Sequence, residues 1–218
     1  MLKDVVILYF KKLNGRVTVI RHLLEYGKVE FKNKEIEFMD WPQESNKMDL
    51  GFLPNVEIGG EKFSQSGAIF FYIARKIGNL LGSTPEDEYE ILQLIASDGD
   101  IVPYTLRITL PNPDDAKDPE KMKTHFDNLT EVFTPFLKSW ERRYISHGSG
   151  KYYLGNVLSL ADFWFAYMVH YMLTTLIPQV GETLRKEFPT LFKYLDNLVE
   201  EDFCKSFYNG KNFYKGVL

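Results

Sequence analysis

Apolar residues run without a break from Val5 to Phe10, which predicts a strand covered on both faces. After the Asn14-Gly15 turn signal the period changes. Val17, Ile20, Leu23 and Leu24 share one helical face, and Gly27 stands where such a helix would stop. KVEFKNKEIEF returns to strand character, with Val29 and Phe31 alternating. NVEI and EKFS are short strand patterns joined through Gly59-Gly60, a hairpin signal. SGAIFFYIARKIG then reads as an apolar helix ending at Gly78. Strand–helix–strand followed by strand–strand–helix predicts one sheet with helices on both faces.

This order fits an α/β unit of thioredoxin-like βαβ-ββα type. GNLLGSTPEDE reads as the linker that ends it. Thr84-Pro85-Glu86-Asp87 is a strong helix start: a capping Thr, Pro at the first helical position, and a carboxylate at the third. Asp118-Pro119-Glu120 is a second start of the same kind, with PNPDDAKD as the loop between. Ser159-Leu160-Ala161-Asp162 has the spacing of a capping box, and FPTLFKYLDNLVEE predicts a further helix. The expected layout is therefore an α/β domain over residues 1–82 and an all-α helical bundle over 83–218.

Composition narrows the classes. The 218 residues are 44% hydrophobic, enough for a sizeable core. A formal net charge of -4 argues against a nucleic-acid binder, which needs a clustered basic surface. The single cysteine, Cys204, excludes a disulfide framework and a multi-cysteine zinc site within one chain, and fits a reducing, cytoplasmic compartment. His125, His147 and His170 lack metal-ligand spacing, so no metal is expected. LADFWFAYMVHYMLTTLI carries Asp162 and His170, which reads as a buried helix rather than a membrane span. The N-terminal MLKDVVILYFKK has too short an apolar run for a signal peptide and too few arginines for a transit peptide.

The stretch with most chemical content is LPNVEIGGEKFSQSGAIFFYIARKIG, residues 53–78. Leu53-Pro54 enters a strand pair, where proline cannot donate to a ladder. Gln65-Ser66 opens a helix, where unpaired N–H groups and the positive dipole end favour an anion. A proline-marked backbone edge beside an anion pocket suits a small peptide with a free carboxylate. Ordinary helix capping is the competing reading of Gln65 and Ser66. This arrangement resembles the glutathione-binding half of the soluble glutathione transferases, and the two-domain order is similar to that family over essentially the whole chain. GNVLSLADF, Gly155 to Phe163, resembles a helix start in the family's C-terminal domain. Tyr9-Phe10 on the first strand, DWP at 40–42 and the Leu-Pro…Gln-Ser spacing look most like the sigma class, while LLEYG and YIARK are also similar to the mu class.

The resemblance implies roles for individual residues. Tyr9 matches the family's catalytic Tyr, which donates to the glutathione thiolate. A thiol has an ordinary pKa of about 8.5, and a hydrogen bond to the charged form lowers it. Arg16 would help set the local field, although YFKKLNGR is one residue longer than the usual Tyr–Arg spacing. Glutathione would be held by Trp41, Leu53, Pro54, Gln65 and Ser66, with the Leu53-Pro54 bond cis. Where the family often has a Lys, four residues after Trp41, this chain has Ser45, and Lys47 would rebuild the glycyl clamp. Phe52 stands where a polar side chain is common. Asp98, with Asp100 as fallback, would reach the γ-glutamyl amine across a homodimer interface. The electrophile would lie against the first long C-terminal helices, with Tyr104 lining it. Helix packing is the competing reading of Tyr104, and a solvated surface charge that of Arg16 and Asp98.

The resulting expectation is a cytoplasmic, homodimeric glutathione transferase with a detoxification role. Its partners would be glutathione as co-substrate and a small hydrophobic electrophile, with no nucleic acid, membrane or metal. Two alternatives stay open: a glutathione-dependent isomerase of prostaglandin D synthase type, and a non-catalytic relative serving as a lens crystallin or assembly subunit.

Overall fold

The computed structural model describes residues 2–48 and 50–214. The chain divides into two compact units. The first takes in the chain up to Leu81 and resumes at Glu201; the second is Gly82–Glu200.

The first unit follows the predicted order: β1 (Val5–Phe10), α1 (Val17–Tyr26), β2 (Phe31–Ile36), a short α2 (Trp41–Glu44) between two 3-10 turns, β3 (Asn55–Ile58), β4 (Glu61–Phe63) and α3 (Ser66–Gly78). The four strands form a mixed sheet in the order β2-β1-β3-β4. β1 is parallel to β2 and antiparallel to β3, and β3 pairs with β4 as a hairpin. β2 begins two residues later than the alternation of Val29 and Phe31 implied.

Period-two alternation splits β1 between two cores. Val6 and Leu8 pack with Ile36, Met48, Trp41 and Leu53 on one face. Ile7 and Tyr9 point to the other, where the apolar stripe of α1 is fully buried. Gly27 ends α1 because that end presses on α3. A Cβ there would stand 2.7 Å from Ile77.

The second unit is helical: α4 (Pro85–Ala96), α5 (Asp98–Thr109), α6 (Pro119–Ser146), α7 (Leu160–Trp164), α8 (Pro178–Glu187) and α9 (Pro189–Val199). The three predicted starts are all built. Thr84 accepts from the Asp87 N–H, and the Asp87 carboxylate accepts from the Thr84 N–H. Asp118 caps α6 through the N–H groups of Glu120 and Lys121. The Asp162 carboxylate reaches back to the Ser159 N–H and hydroxyl. Beyond α7 the chain continues through Phe165–Leu176 in the wide π register rather than as the single α-helix that the apolar run suggests. Trp140 crosses Trp164 and Phe165 edge-on, at 5.4 and 5.5 Å between ring centroids, in the middle of this core. Among the described residues no helix is long and apolar enough to cross a membrane.

A last helix, α10 (Asp202–Tyr208), belongs to the first unit. The expected bundle over 83–218 did not separate it. His22 on α1 stacks on Phe207 with ring centroids 4.4 Å apart, and its Nε2 lies 3.1 Å from the Phe203 carbonyl. Aromatic burial thus draws the C-terminal segment back to α1.

Candidate active site

The expected anion site falls at the start of α3. Ser66 is its first residue and is buried; Gln65 precedes it at φ 68°. A non-glycine residue at positive φ carries conformational strain, which is found where a backbone is held for a purpose. The first turn of α3 contains no acidic side chain to neutralise the helix N-terminus. The Leu53-Pro54 peptide is cis. Asn55, fully buried and next in sequence, donates its side-chain amide to the Ser64 hydroxyl at 2.8 Å. One part-buried hydrogen bond therefore ties the cis-proline turn to the approach to Gln65-Ser66. Sequence reading missed Asn55; a polar residue at the head of a strand was its only signal.

Trp41 lies half-buried at the start of α2, packed edge-on against Phe10 at 5.2 Å and against the Leu8 cluster. Lys47 is exposed and paired with Glu44, which also lies 4.0 Å from Lys34. Its own carbonyl accepts from Lys62 Nζ at 2.6 Å. Ser45 donates back to the Pro42 carbonyl at 3.3 Å. Phe52 is largely exposed.

Tyr9 is only 2% exposed. Parallel pairing sets it directly beside Glu35 of β2, so the two side chains share a face. Its hydroxyl donates to Glu35 Oε1 at 3.0 Å and lies 3.0 Å from the hydroxyl of Tyr214. Tyr214 also donates to Glu35 Oε1, at 2.8 Å. The Arg21 guanidinium stands 4.0 Å above the Tyr9 ring centroid and 5.2 Å from that of Tyr214, a cation–π arrangement on two rings. Burial above all, then the hydrogen bond with Tyr214, drives the Tyr9 phenol far up and keeps it protonated, while the Arg21 charge pulls the other way. Burial also pushes the Glu35 carboxyl up. The hydrogen bonds from Tyr214 and Tyr9 and the charges of Lys11 and Arg21 outweigh that effect and hold it below the usual carboxylate range. Tyr9 is thus a neutral donor beside an ionised acceptor.

Arg16 is half-buried at the cap of α1. Sequence reading passed over Arg21, Glu35 and Tyr214. Only Arg21 had a signal, a charge set among the apolar positions of α1.

In the second unit, Asp98 starts α5, is buried and accepts from the Trp164 indole N–H at 3.3 Å. Asp100, two residues on in α5, is exposed. Tyr104 is half-buried on α5, with the Arg107 guanidinium 5.0 Å from its ring centroid. Among the described residues no group of three or more His, Cys, Asp or Glu could hold a metal ion.

Known proteins match this chain in sequence and in fold. The family profile for the glutathione S-transferase N-terminal domain matches residues 5–75, and that for the C-terminal domain matches residues 107–209. Glutathione S-transferase 2 of Manduca sexta is 30% identical over 85% of this chain and 86% of its own length. The class-mu 28 kDa glutathione S-transferase isozyme of Schistosoma japonicum is 30% identical over 72% of this chain and 74% of its own. A major Caenorhabditis elegans glutathione transferase has the same fold, with a TM-score of 0.81 and 21% identity over 98% of this chain and 99% of its own. The chain belongs to the glutathione S-transferase family.

Proposed function

We propose that this protein binds glutathione on its first unit, activates it as a thiolate through Tyr9, and transfers it to a small hydrophobic electrophile. The observation that carries the reading is the bond from Asn55 to Ser64, which joins the cis-Leu53-Pro54 turn to the strained Gln65-Ser66 entry of α3. A peptide laid along Leu53 would place a carboxylate at the open N-terminus of α3. Trp41 would meet its glycyl end, with Lys47 supplying a charge once released from Glu44.

Tyr9 supplies the chemistry. A phenol that stays protonated can donate to a thiolate without competing for its proton. With an aryl halide as electrophile, the sulfur attacks the carbon that bears the halogen. The carbon–sulfur bond forms, the halide leaves with its electron pair, and the thiol proton passes to solvent. Arg21, stacked on Tyr9, adds positive potential at the ring; Arg16 extends the same field at the head of α1.

Further parts of the reading concern the assembly. The acid lent to a partner's glutathione would come from the head of α5, at Asp98 or Asp100, in a homodimer, and Tyr104 would line the electrophile pocket. A cytoplasmic, detoxifying role accords with one cysteine, buried Cys204.

The test is retention on glutathione-agarose with elution by free glutathione, followed by conjugation of a model aryl halide. Binding with turnover is expected. A folded protein that neither binds nor conjugates would return the chain to the non-catalytic alternative.

A further inference from the structure

The segment after α10 is held to the first unit by a dense set of polar contacts. Asn14, fully buried, grips the Tyr214 backbone twice, donating to its carbonyl at 2.6 Å and accepting from its N–H at 3.1 Å. The Asn212 side chain bonds Glu25 and, at 3.2 Å, Asn33. The Asn212 carbonyl lies 3.4 Å from Arg21 Nη1. These contacts deliver one functional group, the Tyr214 hydroxyl, to Tyr9 and Glu35.

Three oxygens then form a triangle with edges of 3.0, 3.0 and 2.8 Å. An ionised carboxylate only accepts, and each phenol has one proton. Two protons can serve only two of the three edges at once, and every arrangement that serves two spends the Tyr9 proton inside the triangle. A thiolate needs that proton turned outward. When Tyr9 turns, Tyr214 still supplies Glu35 with a protein donor, over the shorter edge. Glu35 therefore competes with sulfur for Tyr9, and Tyr214 relieves the competition.

We propose that Glu35 and Tyr214 are positioning residues for Tyr9: Glu35 holds the phenol proton in reserve, and Tyr214 takes over Glu35 when Tyr9 turns to the thiolate. This inference rests on the reading of Tyr9 as the thiol donor. Glu35 lies on the exposed side of β2, where water can replace a lost partner, so the effects are modest.

The experiment is a double-variant cycle on the full chain, reading kcat and KM for glutathione conjugation and the ultraviolet absorbance of bound thiolate. Glu35→Gln weakens the competing acceptor and should raise kcat and the thiolate signal about three- to ten-fold at unchanged KM. Tyr214→Phe keeps the ring near Arg21 but leaves Tyr9 as the donor to Glu35, and should lower both by a similar factor. The double variant should behave as Glu35→Gln alone, because Tyr214 then has no competition to relieve. A merely structural pair would instead give two losses that add, and that result overturns the proposal. A rise in Tyr214→Phe overturns it also, by making the tail an inhibitor. Tyr9→Phe is measured alongside: if it leaves conjugation unchanged in the parent, the Tyr9 reading itself has failed, a result separate from the pattern of the cycle.

Discussion

Tyr194 of α9 donates its hydroxyl to the Asp162 carboxylate of α7 at 2.7 Å, deep in the second unit. The same carboxylate accepts from the N–H groups of Tyr153 and Ser159, each at 2.8 Å, and from the Ser159 hydroxyl. Asp162→Ala strands these donors where no water reaches, and should cost about 3 kcal/mol or more. Burial raises the Asp162 carboxyl from 3.8 to about 6, against the pull of the four bonds. The folded state thus holds a proton that the unfolded state has released between those two values. This group makes stability fall as pH rises through that window. Denaturant titrations from pH 4 to 7 should show that component of the slope in the parent and not in Asp162→Asn.

His22 gives the opposite slope. Burial against α10 lowers its pKa from 6.5 to about 3, opposed by its bond to the Phe203 carbonyl. Between those values the unfolded chain binds a proton and the folded chain does not. Stability should therefore be lost as pH falls through 6.5. His22→Phe should flatten the acid side of the profile, and a thermal melt series at fixed ionic strength would read it. An acid limb as steep in His22→Phe as in the parent would put the sensitivity in another group.

Gly181 of α8 passes so close to the π segment that a Cβ would stand 1.9 Å from the Leu173 carbonyl oxygen. Backbone on both sides leaves no flexible side chain to yield. Gly181→Ala should destabilise the protein by about 1–3 kcal/mol or more, measured by urea unfolding. Parent-like stability would mean that α8 slides without cost.

Tyr9→Phe should lower conjugation of an aryl halide at neutral pH by roughly ten- to a thousand-fold, the range for losing one donor to developing charge. Glutathione affinity should change little, because the remaining contacts lie at Trp41, Leu53 and α3. Steady-state kinetics paired with calorimetry separates the two effects.

Ser66→Ala should weaken glutathione binding by about 1–2 kcal/mol, the worth of one hydrogen bond to a charged group. Equal affinity in isothermal titration would reduce Gln65-Ser66 to helix capping.

Much of this fold can be read from local pattern. The apolar run of β1, the stripe of Val17, Ile20, Leu23 and Leu24, and the starts at Thr84, Asp118 and Ser159 are short-range signals, since capping and periodicity act within a turn or two of the chain. The same holds for Leu53-Pro54 and Gln65-Ser66, which mark a backbone edge and a helix N-terminus by residue type alone. Tertiary structure decided what stands around them. Glu35 meets Tyr9 across 26 positions because strand register sets them side by side. Tyr214 meets it across 205 positions because α10 returns to α1 through His22. Periodicity tells which face of an element is buried, and it carries no information about which distant side chain will cover that face. The partners of Tyr9, and so the state of its proton, were settled only by packing.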